Sequence, residues 1–154
     1  MSAPLPDGRA AEPAAALSVV KLGGSLAESG ALRPWLQALS SLRGAGLVIV
    51  PGGGPFADAV RRAQRLHGFS DEAAHRMALA AMEQFGLMLC DLAPALVPAA
   101  TRQAIALAVA RGDIPVWMPS RMLGKRADVR ASWDVTSDSL AAWLASALEA
   151  HSLT

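Results

Sequence analysis

Val19-Val20-Lys21-Leu22-Gly23-Gly24-Ser25 and Val48-Ile49-Val50-Pro51-Gly52-Gly53-Gly54-Pro55 decide how this chain is read. Each is a short β-branched run that stops abruptly in glycines. β-Branched residues suit strands, and glycine ends them while leaving backbone N–H groups unshielded by any Cβ. A third segment, Ser132-Trp133-Asp134-Val135-Thr136-Ser137-Asp138-Ser139-Leu140-Ala141, is a polar cluster opening a helix. Glycine loops that present N–H groups bind anions, and a lysine beside them adds charge. Two such loops, Lys21 and an aspartate at a helix start are the parts a phosphoryl-transfer site needs.

The surrounding pattern supplies the scaffold. Leu17 to Leu22 reads as a buried strand, followed by a helix with Leu32, Trp35, Leu36, Leu39 and Leu42 at helical spacing and Gly44 closing it. Leu47 to Val50 is a second strand. Pro55, at a favoured first position, starts a helix running to about Leu66. Ser70-Asp71-Glu72 caps the longest helix, predicted over about 71–92. There Met77, Ala81, Phe85, Met88 and Leu92 form one apolar stripe, and Ala74, Ala78 and Met82 another. Thr101 caps a helix to Ala110, and Ile114 to Met118 is a third strand. Residues 119–131 read as irregular. Their Arg121, Lys125, Arg126 and Arg130 are expected to be mobile without ligand and to attract an anionic substrate. From Ser137 on, Leu140, Trp143, Leu144, Ala147 and Leu148 make one helical face. Continuous apolar strands alternating with helices imply an α/β fold, a three-layer sandwich whose mainly parallel sheet is covered by helices on both faces. Ligands bind such sheets at the carboxyl ends of the strands, where both glycine loops fall.

Composition narrows the function. The chain is 53% hydrophobic with a net charge of +1 and no basic run, which argues against a nucleic-acid partner. No apolar run reaches the ~20 residues of a membrane span. Residues 1–16 are Pro/Ala-rich and interrupted by Asp7, Arg9 and Glu12; they read as a flexible arm on a cytoplasmic protein, not a signal peptide. A single cysteine, Cys90, excludes a disulfide framework and reads as a buried structural thiol. His67, His75 and His151 have no ligand spacing, so no metal site is expected.

Among nucleotide motifs, Gly52-Gly53-Gly54-Pro55-Phe56-Ala57 fits G-x-G-x-x-A formally, but the acidic residue expected about 20 positions on falls at a helix start. No G-x-x-x-x-G-K-[ST] occurs. Lys21 instead precedes its glycines, among Val19, Val20 and Leu22, which directs its ammonium into a cleft. Thr136 and Asp138 suit the first turn of a helix, and a carboxylate fixed there can also hold the Lys21 ammonium. Trp133 reads equally as core packing or as a wall for a planar ligand.

In this order, these residues resemble the amino-acid kinase family, which includes acetylglutamate, carbamate, aspartate and uridylate kinases. The family's opening K-x-G-G-S corresponds to Lys21–Ser25, its second glycine loop to Gly52-Gly53-Gly54, and its later aspartate to Asp138 with Ser139-Leu140-Ala141-Ala142. Pro-Ser-Arg-Met-Leu at 119–123 and Ser-Trp-x-x-Thr-Ser-Asp-Ser at 132–139 are similar to the short kinases of methanofuran biosynthesis, which phosphorylate an aminomethylfuran-methyl phosphate. The resemblance implies that Lys21 contacts the transferring phosphoryl group and that Gly23, Gly24 and Ser25 donate hydrogen bonds to it. It implies that Gly52, Gly53 and Gly54 hold the acceptor, that Asp138 orients Lys21, and that Thr136 and Ser137 line the acceptor pocket. ATP and Mg²⁺ are the implied cofactors and a small molecule the acceptor. If that acceptor already carries a phosphate, Arg121 is the expected ligand for it.

The family continues into a second half with the nucleotide-base pocket, so residues 17–154 read as a truncated domain, with His151-Ser152-Leu153-Thr154 a turn and the start of a strand. Two functions follow: a phosphotransferase, or a non-catalytic binding or assembly protein that keeps the fold without the nucleotide half. The double-striped helix over 71–92 predicts a homodimer or larger assembly. The charged atoms of Lys21 and Asp138 are expected within a few ångströms of each other.

Overall fold

The computed structural model describes residues 16–124 and 131–154. The expected arm, apart from Ala16, and Lys125, Arg126 and Arg130 of the basic segment lie outside the described residues. Strand β1 (Ser18–Leu22) leads through a 3-10 turn (Gly24–Glu28) to α1 (Leu32–Ser40), followed by β2 (Leu47–Pro51), α2 (Gly54–His67) and α3 (Asp71–Leu92). Then come β3 (Leu96–Ala99), α4 (Arg102–Ala110), β4 (Ile114–Trp117), α5 (Ser120–Leu123), α6 (Ser137–Ala147) and β5 (Ser152–Leu153).

The strands form one sheet in the order β3-β4-β2-β1-β5, and every pairing is parallel. Alternation along β2 shows why it has helices on both sides. Ile49 joins a core with Leu36, Phe85 and Leu89, whereas Val48 and Val50 join another with Ile105, Leu140 and Leu144. Neighbouring residues of a strand point to opposite faces, so the two cores sandwich the sheet. The three-layer α/β architecture expected from the continuous apolar runs is the one observed.

Local chemistry sets the element ends. Ser70, Thr101 and Thr136 each accept a hydrogen bond from the backbone N–H three residues on, at 3.2, 3.1 and 3.4 Å, which satisfies a donor the helix itself leaves open. Gly68, at φ 66°, closes α2 in a left-handed conformation. Within α3, a Cβ on Gly86 would come 3.0 Å from the Met118 side chain and 3.2 Å from that of Val116. Glycine there lets the helix lie close to the sheet.

Two elements differ from the sequence reading. Strand β3 has no counterpart in the sequence reading; it lies at the edge of the sheet, where the missing donor of Pro98 costs no ladder bond. The segment after Pro119 is not wholly irregular, since Ser120–Leu123 forms a helical turn. Glu83 on α3 accepts the Ser120 backbone N–H at 2.8 Å, and Leu123 is buried.

Candidate functional site

The site is built where β1 and β2, adjacent and parallel, end together. Lys21 pairs in register with Val50 and Leu22 with Pro51, so both strands deliver their glycines to one place. Gly52 N–H then donates to the Leu22 carbonyl at 2.8 Å. The two loops touch backbone to backbone. A Cβ on Gly24 would overlap the nitrogen and α-carbon of Gly54, and one on Gly52 would overlap the Gly24 nitrogen. Gly54 has φ 51°, and a Cβ there would overlap the Gly24 carbonyl oxygen. These glycines therefore serve the contact between the loops as well as any approach of a ligand. Gly23 differs, since its nearest neighbour would be Ser25 Oγ at 3.7 Å.

Lys21 stands on the same face of β1 as Val19, the face that α6 covers. Its Nζ lies 3.1 Å from Asp138 Oδ1 in the first turn of α6, with the lysine side chain 24% and the aspartate 72% exposed. An ion pair so open to water contributes ~0–1 kcal/mol to stability, so its effect is to aim the ammonium rather than to hold the fold. The backbone under Lys21 is fixed from both sides: β2 pairs it on one edge, and its N–H donates to Thr154 O at 2.7 Å on the other.

Beside the loops is a cavity of about 230 Å³ lined by Gly24, Ser25, Gly53 and Gly54 at the sheet end. Thr136, Ser137 and Leu140 of α6 close one side, and Leu79 and Met82 of α3 supply apolar floor. Neither the 3-10 turn nor α2 has a side-chain cap at its start, so amide donors without an intrahelical partner border the cavity. This volume is below the ~300–1,000 Å³ of pockets for drug-sized ligands and suits a small metabolite.

Trp133 proves to be a wall of that cavity. Its indole N–H donates to Gln64 Oε1 at 2.6 Å, and the Arg61 guanidinium lies over its ring, 4.6 Å from the centroid. Arg61 in turn bonds Asp58 at 2.8 Å, and Gln64 donates its amide to Asp71 at 2.9 Å. Asp58, Arg61, Asp71 and His75 all line the cavity. None was singled out from the sequence as a site residue, although the spacing held a signal: Ala57, Asp58, Arg61 and Gln64 continue, at helical intervals, the face on which α2 leaves Gly54. Arg121, expected at the acceptor, does not line the cavity. Its helical turn directs Leu123 inward and leaves Arg121 exposed; among the described residues, the guanidinium bordering the cavity is that of Arg61.

Residues 16–154 match the sequence pattern of the amino acid kinase family. The chain belongs to the amino acid kinase family. A relative from Methanocaldococcus jannaschii, [5-(aminomethyl)furan-3-yl]methyl phosphate kinase, is 28% identical over 136 residues, which cover 86% of this chain and 62% of that protein. Uridylate kinase from Archaeoglobus fulgidus superposes with a TM-score of 0.69 at 19% identity, covering 89% of this chain and 61% of that one. The family resemblance of the three motifs is thus borne out, and this amino acid kinase chain spans about three-fifths of the length of the relatives it matches.

Among the described residues no group of three or more His, Cys, Asp or Glu is placed to hold a metal ion, and no helix is long and apolar enough to cross a membrane.

Proposed function

We propose that this chain forms the acceptor-binding portion of an ATP-dependent phosphotransferase. Its acceptor is a small phosphorylated molecule of the aminomethylfuran phosphate type. One observation carries the reading: the Lys21 ammonium, aimed by Asp138 at 3.1 Å, stands where two mutually packed glycine loops end β1 and β2. The relative's phosphate-kinase activity and the small cavity support the choice of acceptor.

In this reading an acceptor phosphate oxygen attacks the γ-phosphorus of ATP as the bond to the ADP oxygen breaks. The chain contributes positioning and charge neutralisation, the main demands of phosphoryl transfer. Lys21 offsets the charge that spreads over the transferring group, while the amides and hydroxyl at Gly23, Gly24 and Ser25 donate to it. Gly53 and Gly54 border the acceptor beside Thr136 and Ser137. Mg²⁺ arrives with the nucleotide. The cavity fits an acceptor better than a nucleotide, in keeping with a base pocket built from residues beyond this three-fifths of the family's length. We also propose self-association through the outward side of α3, where Met77 and Leu87 are exposed.

The test is transfer of labelled γ-phosphate from ATP–Mg²⁺ to [5-(aminomethyl)furan-3-yl]methyl phosphate, together with calorimetric titration of nucleotide and acceptor separately. Lys21→Ala is expected to remove roughly 3–4 kcal/mol of transition-state stabilisation, a loss comparable to that of an oxyanion donor, with little change in acceptor affinity. Acceptor binding without nucleotide binding or transfer would favour the non-catalytic binding protein. Transfer unaffected by Lys21→Ala would remove Lys21 from the reaction.

A further inference from the structure

Gln64 stands behind the cavity wall and uses both ends of its amide. Its Oε1 accepts the Trp133 indole N–H at 2.6 Å, while Nε2 donates to the Phe69 carbonyl at 3.2 Å and to Asp71 Oδ1 at 2.9 Å. One half-buried side chain thereby joins the end of α2, the turn after it, the start of α3 and the segment before α6. Arg61, three residues earlier on the same helix, lies over the Trp133 ring at 4.6 Å. Trp133 is therefore gripped by α2 both at its N–H and on its face.

The segment that Trp133 anchors is the one that carries Asp138. Between them the backbone turns tightly: the Asp134 N–H donates to Ser132 Oγ at 3.0 Å, and the Val135 N–H to the Ser132 carbonyl at 3.1 Å. Val135, Thr136 and Ser137 then line the cavity. Leu140 and Leu144 bury α6 in the core, but Asp138 precedes them in a first turn whose cap is long, 3.4 Å from the Ser139 N–H to Thr136 Oγ1. First-turn donors have no intrahelical partner, and a hydrogen bond of that length holds weakly. The solvent-open pair with Lys21 adds little of its own. Asp138 thus depends for its position on the residues just before it.

We propose that Gln64 is a positioning residue: by fixing Trp133 it holds residues 132–138 in place, and through Asp138 it aims the Lys21 ammonium at the transferring group. The role rests on the phosphotransferase reading above and adds to it a link between the acceptor wall and the lysine. An acceptor seated against Trp133 meets a lysine already aligned, and disturbance of the wall misaligns it. Because α2 rises ~1.5 Å per residue, Gln64 lies ~15 Å along the helix from the glycine loops and acts on the lysine only through this segment.

Lys21 can be observed without turnover, because the chain has two lysines, Lys21 and Lys125. Reductive methylation with ¹³C-formaldehyde gives each a dimethylammonium that keeps its charge and one N–H donor, and Lys21→Arg assigns the Lys21 signals. Held against Asp138, the group should give two resolved methyl signals, which Asp138→Asn merges into one. Gln64→Leu should merge them too. So should Trp133→Phe, which keeps the ring, removes the N–H and stands in if Gln64→Leu does not fold. Arg43→Ala breaks the 2.6 Å pair with Asp113 at the other end of the sheet; it should leave two signals, which separates lost alignment from a general loss of stability. In the γ-phosphate transfer assay, kcat should fall in Gln64→Leu and in Asp138→Asn, and the double variant should lose no more than Asp138→Asn alone. Two signals retained in folded Gln64→Leu and Trp133→Phe overturn the link, whether or not the chain transfers phosphate. A single signal in the wild type overturns the alignment itself, and additive losses of kcat remove Asp138 as the route. Signals that merge as expected in a chain that transfers nothing overturn the phosphotransferase reading while the link stands.

Discussion

At the scale of single residues, the glycines separate into those that admit a neighbour and those that do not. Gly24 is filled from the other side by the backbone of Gly54, whereas a Cβ on Gly23 would meet only Ser25 Oγ at 3.7 Å, an ordinary contact. Gly24→Ala should therefore destabilise the chain by about 1–3 kcal/mol, the usual range for overpacking, and loosen the site as the loops part. Gly23→Ala should shift the urea midpoint hardly at all. Equal midpoints for the two variants would show that the loops are not in contact. The sequence marks both glycines alike, because a run of glycines announces a special backbone without saying which member touches what. Lys21 and Asp138 were legible for a stronger reason: each sits at an element end that topology sends to the same edge of the sheet. The carboxylates and guanidinium at the outer cavity were not, since Asp58, Arg61 and Asp71 resemble ordinary solvated helix residues until α2 and α3 fold back on each other.

Among the elements, α3 departs most from its pattern. Two apolar stripes over 71–92 imply more surface than one sheet face covers, yet Phe85 is fully buried and Ala74, Ala81 and Met82 nearly so within the single chain. The sheet, α1, α2 and α5 all reach this helix, so it is enclosed by its own fold on most sides. Phe85→Asp is consequently a folding variant, not an interface probe. What remains outward is narrower: Met77 at 41% and Leu87 at 56% exposure, ten residues apart on one side with Ala80 between them. If self-association uses this strip, Met77→Asp with Leu87→Asp should convert an oligomer to monomer in light scattering, with the circular dichroism spectrum unchanged. An unaltered mass would place the interface elsewhere. Helix caps at Ser70, Thr101 and Thr136 were readable because capping is local chemistry. Strand β3 was not, because only its place at the edge of the sheet makes Pro98 acceptable.

For the molecule as a whole, burial shifts two groups among the described residues in ways that bear on stability against pH, His75 and Cys90. Burial lowers the His75 pKa from 6.5, so the unfolded chain binds more protons than the folded one just below that value. Stability is then lost as pH falls from 6.5 towards the lower folded pKa. Burial pushes the Cys90 thiol up to about 11 from 9.0, so its contribution is intact below pH 9 and is lost as pH rises towards 11. Unfolding free energy should be flattest between about pH 7 and 9 with respect to these two groups. Cys90→Ala should reduce the alkaline decline, and an identical decline in that variant would exclude the thiol as a cause. The chain contains no tyrosine to obscure that range. The sequence by itself determined the layered parallel fold, the caps and the lysine–aspartate meeting, because strand runs, helical periodicity and element ends are written in short-range order. Only the tertiary structure decided which glycines bear on each other, how far α3 is enclosed, and that Trp133, Arg61 and two carboxylates share a cavity. Those are contacts between segments many residues apart, and no local pattern encodes the distance between them.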